Sequence, residues 1–254
     1  MLKKALLSWI ENRGYRLIKK GQLLYGEPVG NELENDFLAI YQQCRPYTMT
    51  SLERMYAAHK AATYIVDNEV EGAIVECGVW KGGSTMMMVK TLLQRGVTDR
   101  EIYLYDTYEG MPEPTEKDKD LAGTSAQGTW SDNQTDTVNE WCYSPLEEVQ
   151  KNIYATGYPK EKIHFVKGKV EDTIPGTLPT AIALLRLDTD WYDSTYHELV
   201  HLYPLLQVKG ALIIDDYGHW QGAREAVDQY FAENQINMLL NRIDYTGRIG
   251  LKLQ

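Results

Sequence analysis

Two apolar stretches of this chain stop abruptly in aspartates. Residues 183–187 (ALLRL) are followed by Asp188, and residues 211–214 (ALII) run directly into Asp215 and Asp216. If both stretches are neighbouring parallel strands, their carboxyl ends meet at one edge of a sheet and the carboxylates converge. Like charges a few ångströms apart repel strongly in a low-dielectric site. A hard divalent cation with oxygen ligands would neutralise them, so the sequence predicts a magnesium site at these aspartates.

Aspartates at strand ends also serve as helix caps and turn formers. In this chain the capping-box pattern S/T-x-x-E at residues 195–198 provides a cap for the helix that follows the first stretch. Asp188 and the nearby Asp190 are then free of that structural task. We therefore favour a shared metal site over the capping interpretation.

A glycine-rich turn follows an earlier apolar stretch, in residues 74–85 (IVECGVWKGGST). Glycines let the backbone approach a ligand at a helix N-terminus, where unpaired N–H groups point outward. The turn lacks the Gly-Lys-Ser/Thr of a P-loop, and Glu76 stands where the dinucleotide fingerprint needs glycine. Glu76 would repel a pyrophosphate and attract an ammonium group. Asp106, 28 residues after Gly78, ends the next strand, where an acid commonly accepts ribose hydroxyls. Adenosine joined to an amino acid meets both demands, which predicts S-adenosylmethionine as cofactor.

Five motifs, in order, resemble those of the macrocin O-methyltransferase family. They read VECGVWKGGS, YDTYEGMP, GKVEDTIP, LLRLDTDWYDST and LIIDDYGHWQGAREAV. Members of this family are metal-dependent enzymes that methylate sugar hydroxyls on macrolide and aminocoumarin antibiotics. The similarity runs from about Thr48 to the C-terminus, and the segment 110–145 carries little of it. The resemblance implies a class I methyltransferase fold, magnesium and S-adenosylmethionine, whereas it leaves the sugar specificity open.

The resemblance also implies roles for individual residues. The family's metal ligands fall on Asp188, Asp215 and Asp216, and its general base falls on Asp190. Its cofactor-binding positions fall on Met49, Glu76, Gly78, Ser84, Asp106, Val170 and Asp172. Magnesium would hold two vicinal oxygens of the acceptor and lower the pKa of one. Asp190, which points to the same side of an extended chain as Asp188, would take the proton as that oxygen attacks.

An alternation of strands and helices must position these residues. The apolar patterns predict strands at 73–77, 101–106, 163–166, 182–188 and 211–215, and helices at 83–94, 196–206 and 222–234. A closing hairpin at 236–244 and 248–253 and N-terminal helices at 1–24, 31–43 and 51–68 complete the prediction. Alternating β and α units favour a mostly parallel sheet covered by helices. We therefore predict an α/β, Rossmann-like, doubly wound, mostly parallel seven-stranded sheet with a C-terminal antiparallel hairpin and added N-terminal helices.

Two regions stand outside this alternation. We predict a helical extension at 1–47 before a methyltransferase domain at 48–254. The first 20 residues carry six bases and one acid, so their helix is expected to dock on its own domain or on a second protomer of a homo-oligomer, with a membrane surface as the alternative. The segment 110–145 is acidic, contains Trp130 and Trp141, and is too long for a plain connection. We predict that the segment 110–145 is a lid, with a disordered insertion as the alternative.

Composition excludes several classes of protein. With 254 residues, 43% of them hydrophobic, and a net charge of −10, the chain suits a globular protein and argues against nucleic-acid binding. No run approaches the ~18 apolar residues of a spanning helix, so we expect no stable membrane insertion. The three cysteines are an odd number without ligand spacing, which predicts a cytoplasmic protein.

Three alternative functions remain. Residues 197–201 spell H-E-x-x-H, which on a helix can bind zinc in a hydrolase, with Glu225 as a third ligand. Helical periodicity places Leu199, Leu202 and Leu206 toward the core and both histidines outward, which disfavours that interpretation. A methyltransferase for catechol-like diols would need the same vicinal oxygens as a sugar methyltransferase. A cofactor-binding module without turnover is the last alternative, and the intact set of aspartates argues against it.

Overall fold

The structure is a computed structural model that describes residues 33–254. The chain divides into two units after Leu38, and the second, Ala39–Gln254, is compact and contains the sheet. The helix expected at 1–24, and with it the homo-oligomer contact assigned to the N-terminal helices, lies outside the described residues. The division between 1–47 and 48–254 stays a proposal. Within the described range no helix is both long and apolar enough to cross a bilayer.

Seven strands form the sheet of the described region, in the order β3-β2-β1-β4-β5-β7-β6. Their bounds are β1 Ala73–Cys77, β2 Ile102–Asp106, β3 Ile163–Lys167, β4 Ile182–Leu187, β5 Leu206–Ile214, β6 Asn241–Arg242 and β7 Arg248–Leu251. The first five strands are parallel, and β7 runs antiparallel to both β5 and β6. This arrangement confirms the predicted doubly wound sheet and its closing hairpin. The strand order reverses between β1 and β4, where ligands of such sheets bind.

Eight α-helices accompany the sheet in residues 33–254. They are α1 Asn35–Cys44, α2 Leu52–Asp67, α3 Gly83–Gln94, α4 Gln127–Asp132, α5 Leu146–Tyr154, α6 Val170–Thr173, α7 Tyr192–Leu202 and α8 Gln221–Glu233. Ser51 caps α2 through a 3.1 Å hydrogen bond from the Arg54 N–H. Helix α2 packs against α3, β4 and β5, and α7 packs against α8 and β4. The helices predicted at 51–68, 83–94 and 222–234 are therefore confirmed to within a residue or so.

The central strands β1 and β4 are buried along their whole length. Strands of a parallel sheet that helices cover on both faces read as near-continuous apolar runs. Glu76 and Arg186 are the charged exceptions, and they are register partners on these neighbouring strands. Buried charges are stable only when they are paired. Glu76 and Arg186 therefore pair inside the sheet, close to the edge formed by the carboxyl ends of the strands.

The region around α7 differs from the prediction. Helix α7 begins at Tyr192 with Trp191 at its N-cap, so Thr195 lies inside the helix and the expected capping box at 195–198 is wrong. The helix also ends earlier than predicted, at Leu202, because Pro204 has no N–H to continue it, and a short 3₁₀ turn at Tyr203–Leu205 leads into β5. The spacing of the apolar residues, on which the prediction rested, takes no account of that proline.

Candidate functional site

One cavity opens at the carboxyl ends of β1, β2, β4 and β5, and encloses roughly 1120 Å³ including its open mouth. The sequence-predicted site residues that line it are Met49, Gly78, Ser84, Asp106, Val170, Asp188, Asp190, Asp215 and Asp216. Glu76 and Asp172 do not line it. The structure thus brings nearly all of the predicted residues to the point where the strand order reverses.

Asp188, Asp215 and Asp216 form the metal-ligand candidate at one end of the cavity. Each offers a carboxylate oxygen, and these oxygens lie within 4.8 Å of one another. Within the described residues they are the one group of three or more acids, histidines or cysteines placed in this way. The Oδ2 atom of Asp216 is buried and has no hydrogen-bond partner in this part of the chain. A buried, orphaned carboxylate oxygen beside two further carboxylates fits a hard divalent cation.

The electrostatics of this cluster favour a cation. Burial raises the pKa of Asp188 and of Asp216 well above the usual range, and repulsion from neighbouring carboxylates adds to the shift. Burial also raises the pKa of Asp190 to about 7, against the effect of hydrogen bonds with Asp216 and Trp220. Carboxylates whose charged forms are disfavoured in this way gain most from a bound positive charge.

Asp190 adopts a backbone conformation that few non-glycine residues adopt. Its φ is +69°, and the Trp191 N–H donates to the Thr189 carbonyl at 2.8 Å, which closes a γ-turn around Asp190. The Trp220 side chain lies close enough to this carboxyl to lower its pKa, against the larger effect of burial. Strain of this kind concentrates at functional sites, where the surrounding structure must hold it. The arrangement keeps the Asp190 carboxyl in the cavity beside Asp216.

Two arginines that sequence reasoning missed hold the acidic cluster. Arg186, whose side chain is 3% exposed, donates from Nη1 to Glu76 at 2.7 Å and to Asp188 at 2.6 Å, and from Nη2 to Asp215. Arg54 reaches from α2 to Asp215. A charged residue within the apolar run ALLRL was the available signal for Arg186. No local pattern marks Arg54.

The other end of the cavity lies at the start of α3 and the end of β2. Asp106 accepts the N–H groups of Val79 at 2.7 Å, Trp80 at 3.0 Å and Tyr108 at 2.7 Å, so it ties together the loops after β1 and β2. Its oxygens retain acceptor capacity for a ligand hydroxyl. Helix α3 begins after Gly82 without a side-chain cap, so its first N–H groups are available to a ligand anion. These features fit an adenosine-bearing amino acid.

Gly78 and Glu76 have structural tasks that the sequence did not reveal. Gly78 has a φ of +80°, and a Cβ there would lie 2.0 Å from the carbonyl oxygen of Asp188, so only glycine fits where the β1 and β4 loops cross. Glu76 is 1% exposed and bonds Arg186 and Thr85 beneath the cavity. A direct contact of Glu76 or Asp172 with a cofactor stays a prediction.

Three indoles join the segment 110–145 to the loops that follow β4 and β5. Trp141 lies in the segment, Trp191 follows Asp190, and Trp220 precedes α8. Their ring centroids are 5.0, 5.7 and 6.1 Å apart, with edge-to-face geometry. The Trp191 Nε1–H also donates to the Pro112 carbonyl at 2.9 Å. The segment is thereby anchored beside the cavity, where Met111, Pro112 and Cys142 form one wall.

The H-E-x-x-H stretch does not form a metal site among the described residues. His197 Nε2 lies 2.9 Å from the Ile174 carbonyl oxygen. Glu198 is fully buried and accepts a hydrogen bond from the Thr189 hydroxyl at 2.9 Å. The glutamate therefore supports the loop between Asp188 and Asp190 rather than sharing a ligand with the histidines.

The known proteins that this chain resembles in sequence and structure are O-methyltransferases. The profile of the Macrocin-O-methyltransferase (TylF) family matches residues 41–249. The chain is 32% identical to the demethyldecarbamoylnovobiocin O-methyltransferase of Streptomyces niveus over 201 residues, which cover 79% of this chain and 74% of that one. It is 33% identical, with the same coverage, to the 8-demethyl-8-(2,3-dimethoxy-alpha-L-rhamnosyl)-tetracenomycin-C 4'-O-methyltransferase of Streptomyces olivaceus. The solved structure of the O-methyltransferase NovP superimposes with a TM-score of 0.72 at 30% identity, covering 82% of this chain and 83% of that one.

Proposed function

This chain belongs to the macrocin-O-methyltransferase family and is an O-methyltransferase, and from that premise we propose that it methylates a sugar hydroxyl with S-adenosylmethionine in a magnesium-dependent reaction. The observation that carries the proposal is the convergence of Asp188, Asp190, Asp215 and Asp216 in the cavity that Asp106 also lines. The name of the Streptomyces olivaceus relative specifies a rhamnosyl group. By analogy, the acceptor is a sugar on a glycosylated natural product.

The cofactor is assigned to the end of the cavity near α3. Asp106 would accept hydrogen bonds from the ribose hydroxyls, and the N–H groups at the start of α3 would bind the carboxylate of the amino acid. Gly78 precedes that helix, Ser84 lies in its first turn, and Met49 and Val170 also line the cavity. The same cavity reaches the acidic cluster, so a cofactor bound at this end and an acceptor at the cluster would share one cavity.

The reaction is a displacement in which the protein mainly positions the reacting atoms. Asp188, Asp215 and Asp216 would hold magnesium, and the Lewis acidity that magnesium supplies would lower the pKa of an acceptor hydroxyl. Asp190 accepts the proton of that hydroxyl as its oxygen attacks the methyl carbon. The new carbon–oxygen bond forms as the carbon–sulfur bond breaks, and the demethylated cofactor leaves with the sulfur electron pair. The indole cluster and the wall at Met111 and Pro112 limit the access of water.

A catechol-like diol is the second candidate acceptor, since it presents the same vicinal oxygens and the wall at Met111 and Pro112 is apolar. Turnover with labelled S-adenosylmethionine against a panel of rhamnosides and catechols, with and without chelator, separates the candidates. We expect methylated glycoside, and loss of product with chelator. Turnover of catechols alone, or full activity in chelator, would overturn the sugar or the metal assignment respectively.

We also propose a cytoplasmic location. Cys44, Cys77 and Cys142 are all free thiols, as in proteins of a reducing compartment. Fractionation of cells that express the tagged protein tests this proposal, and recovery in a secreted or membrane fraction would contradict it.

A further inference from the structure

Both oxygens of the Asp215 carboxylate are bound by arginines. Arg186 donates to Oδ1 from within the sheet, and Arg54 donates to Oδ2 from α2. Asp215 is buried, whereas the Arg54 side chain is 14% exposed and lines the cavity. The orientation of this carboxylate is therefore fixed from two sides, by one residue inside the sheet and one outside it.

Asp215 and Asp216 need such support because they are consecutive. Successive side chains on an extended chain point to opposite sides, so two adjacent aspartates do not reach one ion without a bend and a held rotamer. The chain does bend after Ile214, where β5 ends. The Asp215 N–H remains bonded to the Leu187 carbonyl at 2.9 Å. The backbone is thus fixed, and the direction of the Asp215 carboxyl depends on its arginine partners.

Arg54 is in turn held by the turn between β6 and β7. Its Nε lies 3.1 Å from Asp244 Oδ2, which also accepts the Ser51 hydroxyl at 2.7 Å. Asp244 Oδ1 accepts the N–H groups of Thr246 at 2.9 Å and Gly247 at 2.7 Å. Asp244 is therefore placed by its own turn, and it attracts the Arg54 guanidinium as an ion pair whose Nε–H is not aligned as a hydrogen bond.

The same turn also contacts the metal-ligand candidate and the stem of Arg54. The Thr246 hydroxyl donates to the Asp215 carbonyl at 2.8 Å. A Cβ on Gly247 would lie 3.0 Å from the Cγ and Cδ of Arg54, so the absence of a side chain there lets the turn pack on the arginine. The C-terminal turn, the start of α2 and the end of β5 thus form one connected unit.

We infer that Arg54 is a positioning residue for the metal ligand Asp215, and that Asp244 in the C-terminal turn holds Arg54 for that purpose. The inference rests on the proposed metal role of Asp215. Hydrogen bonds to the ligands of a metal fix their orientation, and their loss typically weakens metal binding by about 10- to 100-fold. Arg54 donates such a hydrogen bond to Asp215, whereas Asp244 contacts Arg54 and not the metal ligand itself.

Binding of Mn²⁺ to the full chain, followed by the electron paramagnetic resonance signal of the free ion without cofactor or acceptor, tests the inference. Arg54→Met keeps much of the apolar stem and removes the guanidinium, and we expect its dissociation constant to rise about 10- to 100-fold. Arg54→Lys keeps a cation without the planar fork, so its loss should be smaller. Asp244→Asn should fall between the wild type and Arg54→Met.

Arg95→Met is the matched control, because it removes an arginine that pairs with Asp67 on the exposed surface. It should bind Mn²⁺ as the wild type does. Thermal unfolding of each variant shows whether it is folded, and a purely structural role would lower the melting temperature without changing the affinity of the folded protein. If Arg54→Met does not fold, Asp244→Asn carries the test.

Affinity in Arg54→Met and Asp244→Asn equal to the wild type would overturn the inference. Tighter binding in Arg54→Met would also overturn it, since Arg54 would then compete with the metal. A wild-type protein that binds no Mn²⁺ would instead remove the proposed metal site, and the inference with it, so the two failures are distinguishable.

Discussion

Glu198 is a buried residue that supports the loop between Asp188 and Asp190. It is fully buried, accepts the Thr189 hydroxyl at 2.9 Å, and leaves its Oε2 without a partner among the described residues. Burial raises its pKa well above the usual range, so burial favours its neutral form in the folded protein. It acts there as a hydrogen-bond acceptor that fills buried space.

The first prediction concerns the pH dependence of stability. Above the unfolded-state pKa of about 4.3, the unfolded chain releases the Glu198 proton more readily than the folded chain, whose pKa for this group is raised by burial. The folded state then binds more protons, so this residue makes stability fall as pH rises. Glu198→Gln cannot titrate. Urea unfolding from pH 5 to pH 8 should show the variant losing less stability than the wild type.

Glu198→Ala is the companion variant. It removes the hydrogen bond and opens a cavity, and should cost about 2 kcal/mol at pH 5. Wild-type and Glu198→Gln curves that stay parallel across the pH range would show that Glu198 is already ionised in the folded protein.

The second prediction concerns the crossing of the β1 and β4 loops. Gly78→Ala places a Cβ 2.0 Å from the Asp188 carbonyl oxygen at a φ of +80°. Gly96→Ala is the matched control, because Gly96 has a φ of +72° with no atom within 4 Å of the added Cβ. The left-handed conformation should lower the free energy of unfolding of both variants by about 1–2 kcal/mol. Denaturant titration should show a further loss of about 1–3 kcal/mol in Gly78→Ala alone. Equal losses would mean that the crossing is loose.

At the residue scale, the sequence predicted the acids but not their partners. The aspartates at the strand ends are visible because each follows an apolar run. Arg54 and Asp215 are 161 residues apart, so their contact depends on the tertiary structure alone. Glu76 meets Arg186 only because β1 lies next to β4, and strand order is not written in local patterns.

At the scale of elements, the segment 110–145 is a structured wall. Asp118 is buried and accepts the Tyr192 N–H at 2.9 Å and the Thr115 N–H at 2.7 Å, and the three-indole cluster holds Trp141. The sequence indicated a functional segment from its length and tryptophans. It did not reveal the anchoring, because the indole partners come from two distant loops. Closure of the segment over an acceptor stays a prediction.

The third prediction follows from that anchoring. Hydrogen exchange of the free protein should already be slow at the N–H groups of Ala126 and Asn139, which donate to Asp118 and Glu109 carbonyls. Trp141→Ala removes one ring of the cluster and should accelerate exchange across 110–145 while β1 and β4 remain protected. Trp141→Phe, which keeps an aromatic ring, should do so less. Rapid exchange of the free wild-type segment, with protection only after ligands bind, would identify a mobile lid instead.

Helix α7 shows where local rules fail at this scale. The capping-box pattern predicted a start at residue 196, yet the helix begins at Tyr192. The Tyr192 N–H finds its acceptor in Asp118, which lies 74 residues earlier in the chain. The hydrogen bond from Tyr192 to Asp118 thus satisfies an N–H group at the start of α7, which a local cap was expected to do.

At the scale of the whole molecule, the alternation of apolar runs was sufficient to predict the doubly wound sheet. Parallel strands need long crossovers, and the chain supplies helices or long loops of suitable length between them. The C-terminal hairpin was also predicted, but not its turn's contact with Arg54. The fold places the acidic cluster and the helix start of α3 in one cavity, and the macrocin-O-methyltransferase relationship connects that cavity to methyl transfer.

The central claim is that a metal held by Asp188, Asp215 and Asp216 and a base at Asp190 act together in one reaction. The initial rate of methyl transfer against magnesium concentration, for Asp188→Asn and Asp190→Asn, tests it most directly. Asp188→Asn removes one anionic ligand, so its activity should recover in part at high magnesium. Asp190→Asn removes the proton acceptor, at a cost of about 10²–10⁴ in rate, and added magnesium should not restore it. Full wild-type activity in chelator, or equal rescue of both variants by magnesium, would contradict the account.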